Sequence, residues 1–357
     1  MTVLIFLLIL TILVFVHEFG HFIIAKKMGV KVEEFGIGLP PRLFGIKKGE
    51  TLYSLNLLPL GGFVKLYGEE EHNKLDKMDK KRAFVNKTAW QKTLIILGGV
   101  IGNFLLGWFI FSYLATQGVS VPINKVIIEK VTKNSPAQIS GLKENDIVTK
   151  LIPQNKKLPQ FTLTTADDLI INTKKLAGQT ITLEINRNGK TFLTKIVPRV
   201  NPPKGEGPLG IAITSSTIKK YPWFTAPYYG LIEATNITYK IATELGKLLF
   251  GLITFQKPHV DVAGPVGIAN MAGQAIKFGG NAFLQFLGLL SLNLAIVNIL
   301  PFPALDGGRL VFVLYEGIFK KKPNKDVEKY TNLIGFIILL SLAALITVND
   351  IVKLFKK

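Results

Sequence analysis

The chain has 357 residues, 48% of them hydrophobic, and a mean hydropathy of +0.35, so membrane-spanning segments are expected and an all-soluble fold is not. Its formal charge is +19, from 43 Lys and Arg against 24 Asp and Glu; no basic–aromatic cluster or nucleic-acid motif accompanies that excess, and lipid headgroups and membrane topology account for it. Cysteine is absent, which excludes a disulfide framework and any thiolate metal site.

The first element is an apolar run over 2–24. It lacks a basic region ahead of it and a small-residue cleavage site behind it, and Lys26 and Lys27 follow directly, so it reads as a retained transmembrane helix. The run carries no charge until His17 and Glu18, with His21 one helical turn later. Residues at i and i+4 share a helix face, so His17 and His21 can present one imidazole each to a single ion. Glu18 stands beside them, placed to take a proton from water. This is the H-E-x-x-H arrangement of zinc hydrolases, in which zinc lowers the pKa of its water to about 7 and the Glu acts as base and then acid. The bland reading, polar groups near a membrane surface, does not explain three costly residues within five positions.

A basic loop follows, from 26 to 92. Within it, TLYSLNLLPLGGFVKLYGEEE (51–71) alternates apolar and polar residues around Gly61-Gly62 and predicts a strand–turn–strand element that can dip into the membrane. The second span is 93–116, where GGVIGN (98–103) places Gly98 and Gly102 at the spacing of close helix packing. Residues 122–200 read as a small domain of short strands with a hairpin turn at Asn188-Gly189, and NPPKGEGP (201–208) reads as a linker. The segment 226–255 carries Glu233, Lys240, Glu244 and Lys247 and suits an amphipathic helix at the surface.

The third span, 284–314, contains NILPFPALDGGRL (298–310). Asp306 is the one acidic residue between 262 and 315, and Pro301 and Pro303 break the helix just before it. A catalytic zinc needs a third protein ligand. His72 lies in a polar loop and His259 on the outer side, which leaves Asp306 as the candidate. Lys320, Lys321, Lys322 and Lys325 then precede a fourth span, 332–352. The distribution of Lys and Arg puts the 26–92 loop and this connector on the cytoplasmic side, with the N-terminus, 117–283 and the C-terminus outside; the basic tail at 353–357 runs against the rule. On that topology His17, His21 and Asp306 fall at similar depth.

With these residues in view, the chain resembles a site-2 protease, the family of intramembrane zinc metalloproteases, and specifically its bacterial regulator of sigma-E protease branch. HEFGH and NILPFPALDGG are similar to the family's two motifs, and FGIGLPPRLFG (35–45), LLPLGGFVKLYGE (57–69) and VAGPVGIANMAG (262–273) resemble further segments of the branch. VTKNSPAQISGLKENDIVTKL (131–151) resembles a PDZ domain; some relatives carry two in tandem, whereas one is found here.

The resemblance implies a polytopic α-helical membrane protein of about four transmembrane helices, with a re-entrant β-loop and one extracytoplasmic PDZ domain. It divides the chain into a first membrane part (1–116), the PDZ domain (117–200), a linker with amphipathic helices (201–283) and the last spans (284–357). It implies that His17, His21 and Asp306 bind zinc and that Glu18 is the catalytic base. Asn298 would hold the substrate backbone or the oxyanion, against a bland role in helix packing; Gly61 and Gly62 would pair an unwound substrate as an added strand, against an ordinary turn. The implied enzyme is a zinc endopeptidase of the bacterial cytoplasmic membrane that cuts single-span membrane proteins, such as anti-sigma factors and remnant signal peptides, within the lipid bilayer and without nucleic acid. Two rivals are a non-catalytic membrane adaptor, which has no use for Glu18, and a metal transporter, which would need more polar residues in the second and fourth spans.

Overall fold

In the computed structural model, which describes residues 2–69, 79–155, 158–254 and 263–355, the uncharged run at the start of the chain forms the helix α1 (Thr2–Lys27). It is apolar on every side rather than along one stripe, as a helix in lipid must be. Gly29, with φ at +66°, turns the chain at its end into the strands β1 (Val32–Lys48) and β2 (Thr51–Leu66). These two long strands fold on themselves. The start of β1 pairs with the end of β2, from Val32 with Leu66 to Ile37 with Gly62, while the end of β1 pairs with the start of β2, from Arg42 with Asn56 to Lys48 with Thr51. The turn between those two β2 segments touches α1: Thr11 Oγ1 donates to Pro59 O at 3.0 Å.

A capping box starts the second long helix, α2 (Ala89–Gln117): the Gln91 amide donates to Thr88 Oγ1, and the Thr88 amide to Gln91 Oε1. Helices α1 and α2 meet backbone to backbone. A Cβ on Gly98 would stand 2.6 Å from Gly20 O, and one on Gly102 would stand 2.7 Å from Val16 O. The small-residue spacing of GGVIGN thus serves helix packing, as its sequence suggests.

Residues Gly118–Lys220 form a separate compact unit. Its strands are β3 (Val119–Val131), β4 (Ile147–Pro153), β5 (Phe161–Thr162), β6 (Ile181–Arg187), β7 (Lys190–Ile196) and β8 (Ile211–Lys219), in the order β7-β6-β4-β3-β8 with β5 on β4. Two short helices, α3 (Pro136–Ile139) and α4 (Ala166–Lys175), cover a core that includes Val126, Ile128, Val148, Leu151, Leu169 and Leu183. Asn188 and Gly189 both have positive φ and join β6 to β7, the hairpin expected from their sequence. The segment 201–208 lies inside this unit, because β8 returns beyond it to pair with β3 from Val119–Lys219 to Val131–Ile211.

The rest of the chain belongs with α1 and α2. It comprises α5 (Ala226–Ile253), α6 (Pro265–Lys277), α7 (Gly280–Ile299), α8 (Asp306–Phe319) and α9 (Lys325–Phe355). Among the described residues four helical segments are long and apolar enough to cross a membrane: Leu4–Lys27, Ala89–Gln117, Gly280–Ile299 and Asp326–Lys353. The third span is therefore not continuous over 284–314. It ends at Ile299, because Pro301 and Pro303 supply no amide hydrogens, and the chain restarts as a new helix at Asp306.

Candidate metal centre

Two helices bring the sequence-predicted ligands to one point. His17 and His21 share a face of α1, and the α7–α8 break delivers Asp306 as the first residue of α8. Asp306 Oδ2 lies 2.9 Å from His17 Nε2 and 3.2 Å from His21 Nε2, and the two Nε2 atoms are 3.2 Å apart. Around a tetrahedral zinc with bonds of about 2.0–2.1 Å, neighbouring ligand atoms stand about 3.3 Å from one another. These three atoms have that spacing, and they are a cluster of metal-ligating type.

Hydrogen bonding favours a cation further. His21 Nδ1 lies 2.8 Å from the Ile95 carbonyl of α2, which can only accept, so Nδ1 carries the proton and the neutral ring presents Nε2 as a lone pair. Asp306 Oδ2 is buried and accepts no hydrogen bond of good geometry among the described residues. Two imidazole lone pairs and an unsatisfied carboxylate oxygen converging in a buried space fit a divalent ion, and this donor set of two nitrogens and one oxygen suits zinc.

Both imidazoles rest against Gly99 of α2. A Cβ there would come within 2.5 Å of His17 Cε1 and 2.8 Å of His17 Nδ1, so only glycine leaves room. The α8 helix is held in turn by a half-buried ion pair, Lys92 Nζ of α2 to Glu316 Oε2 at 2.7 Å. Gly307 and Gly308 let its first turn press on the 299–303 backbone; a Cβ on Gly308 would lie 2.9 Å from Phe302 C.

Glu18 lies next to this cluster, and its Oε2 accepts the Val64 amide of β2 at 3.1 Å. Val64 pairs with Phe35 of β1, and its amide is spent on Glu18 of α1. A cavity of about 90 Å³, room for several waters, is lined by Glu18, His21, Val64, Glu69, Asp306 and Arg309, among others. An Arg309–Glu69 ion pair flanks it.

Asn298, near the end of α7, places Nδ2 3.2 Å from His17 Nε2, on the side where the ligand atoms meet. Gly61 has φ at +100° and faces Val14, while a Cβ on Gly62 would stand 3.8 Å from Glu18 Cγ. His72 and His259 lie outside the described residues. Sequence reasoning missed Gly99, the Ile95 carbonyl, the Val64 amide and Asn103, whose Nδ2 is 3.2 Å from His17 Nδ1. A carbonyl or an amide leaves no trace in a sequence. Asn103 does leave one, as a lone amide in an otherwise apolar span.

The sequence profile of peptidase family M50 matches residues 5–342. A Clostridium perfringens protein whose name carries the words zinc metalloprotease is 39% identical over 97% of this chain and 97% of its own length. The regulator of sigma-W protease RasP of Bacillus subtilis is 30% identical over 99% of both chains, and the zinc metalloprotease RasP of Shouchella clausii is 29% identical over the same share.

Proposed function

From the premise that the chain belongs to peptidase family M50, the site-2 family of zinc metalloproteases, we propose that it is an endopeptidase that cuts single-span membrane proteins within the bilayer. It is a multi-pass membrane protein, and a metalloprotease whose ligand candidates stand on or beside its spans has its substrates at membrane depth. The observation that carries the reading is the meeting of His17, His21 and Asp306, with Glu18, His21 and Asp306 lining one small cavity.

His17, His21 and Asp306 hold the zinc. When bound, the ion polarises the scissile carbonyl and lowers the pKa of a water toward 7. Glu18 takes the proton from the attacking water and later passes it to the leaving amine. Its carboxylate is kept at the cavity by the Val64 amide. Asn298 Nδ2, directed at the meeting point of the ligands, donates to the oxyanion. The 62–66 segment of β2 receives the unwound substrate as an added strand, so the main chain is held by backbone groups and the reaction tolerates varied side chains. Gly62 lets that strand run close to Glu18.

The contact of Pro59 with Thr11, near the middle of the first span, supports a re-entrant β-loop. The Gly118–Lys220 unit is the extracytoplasmic PDZ domain in this reading, which limits which substrates approach. Anti-sigma factors and remnant signal peptides in the bacterial cytoplasmic membrane are the substrate types.

The test is cleavage of a tagged single-span reporter by the purified enzyme in liposomes, with zinc content measured alongside. Glu18→Gln keeps the ligands and is expected to lower the rate by 10²–10⁴-fold at unchanged zinc content. Equal cleavage by both proteins would overturn the assignment of Glu18.

A further inference from the structure

Asn103 lies in the middle of α2, fully buried, one turn beyond Gly99. Its Nδ2 stands 3.2 Å from His17 Nδ1, and its Oδ1 is buried with no hydrogen-bond partner among the described residues. A buried carbonyl left without a donor is destabilising. Its own backbone carbonyl is fixed by Ser291 Oγ of α7 at 2.8 Å, so the residue cannot drift away from the histidine.

His17 Nε2 is the nitrogen that faces Asp306 and His21, and it is the one that must offer a lone pair to the ion. The proton of the neutral ring then resides on Nδ1, and it needs an acceptor. Among the described residues the side-chain groups hydrogen-bonded to Nδ1 are the amides of Asn103 and Asn298, at 3.2 and 3.4 Å; Asn298 is nearer to Nε2 and is directed at the ligand side. An Asn103 amide that points its NH₂ group at Nδ1–H would set donor against donor. A half-turn of the amide puts Oδ1 in the same place and satisfies both orphans together.

We propose that Asn103 is the positioning residue of the metal centre: Oδ1 accepts Nδ1–H of His17, which holds that imidazole in its metal-binding tautomer and orientation. The inference rests on the zinc assignment above. It makes α2 the outer support of both histidines, with the Ile95 carbonyl acting on His21 and the Asn103 side chain acting on His17, eight residues apart on one helix. Partners of this kind typically contribute 10–100-fold to metal affinity.

The experiment measures zinc affinity of the full-length protein in nanodiscs by competition with a chromophoric chelator, and the visible spectrum of the cobalt(II)-substituted form. Parent, Asn103→Leu and Asn103→Asp are compared. The leucine, of similar volume, is expected to bind zinc 10–100-fold more weakly and to change the cobalt spectrum. Asp can only accept, so it is expected to restore affinity to within a few-fold of the parent. Parent-like affinity in the leucine variant would overturn the proposal, as would loss of affinity in the aspartate variant, which would show that the amide's N–H is what matters. If the leucine variant fails to fold, the aspartate comparison decides alone. Failure of the parent itself to bind zinc would sink the zinc assignment, and this inference with it.

Discussion

At the scale of single residues, the centre depends as much on what is missing as on what is present. Gly99 contributes no side chain, and His17 occupies the space one would fill. Alanine normally favours a helix over glycine by about 1 kcal/mol, so Gly99→Ala stabilises α2 locally while it drives the two imidazoles apart. The geometric effect dominates, because ligand distances are tolerated only to within about 0.2 Å. Zinc affinity is therefore expected to fall at least 10-fold with no loss of helical content, measured by chelator competition and circular dichroism on one sample. The residues that announce themselves in the sequence are those that are expensive in lipid. His17, Glu18, His21 and Asp306 interrupt apolar runs and so could be singled out. Gly99 could not, since glycine is common wherever transmembrane helices touch, and the distinction between spacing helices and admitting a histidine ring is visible only once the partner face is known.

At the scale of elements, the helices around the site lend one another their ends. Gly264, which precedes α6, has no side chain to cap that helix, and Asp350 of α9 reaches across to accept the Gly267 amide at 2.8 Å. Asp350 is buried in doing so. The α6 helix packs against α1, α7 and α9, so the carboxylate ties the fourth span to the one that holds both histidines. Asp350→Ala is expected to lower the stability of the bundle by about 1–2 kcal/mol and to speed amide exchange in 265–277, while Asp350→Asn, which keeps an acceptor, recovers most of both. Hydrogen exchange with mass spectrometry reads the two together. Four spans were foreseeable from hydropathy, and their bounds shift by a few residues where capping decides the end, as Thr88 and Gln91 do for α2. The third differs more, since NILPFPALDGG carries enough apolar residues to hide the break at Leu300 from a hydropathy window, although its prolines mark it.

At the scale of the molecule, the unit formed by Gly118–Lys220 has its own electrostatic tie. Burial raises the Asp146 carboxyl, but the hydrogen bonds from Arg187 and the Lys143 amide, with the Arg187 charge, outweigh it and hold the group below its ordinary value of 3.8. Arg187 Nε lies 2.6 Å from Asp146 Oδ1, and the Asp146 side chain is fully buried. A depressed folded-state value means that the stabilisation is complete above the unfolded-state value and is lost as pH falls through the folded one. The unit is thus expected to weaken below pH 3.8, and Asp146→Asn to cost about 2 kcal/mol at pH 7 and to flatten that dependence, read by urea titration of exchange in 118–220 at both pH values. Most strands of this unit are foreseeable from alternation, yet β8 is not, because its partners in β3 lie 80 to 100 residues earlier and IAITSSTIK carries little apolar weight of its own. A still larger separation has another meaning at the candidate metal centre. Asn298 and His17 touch across 281 positions, and Asp306 comes later still, so a ribosome has made most of the chain before the last of the proposed ligands leaves it. On the proposed assignment the nascent helix that bears Glu18 is until then an inert span like any other, and a chain truncated before Asp306 is expected to leave its neighbours in the membrane uncut.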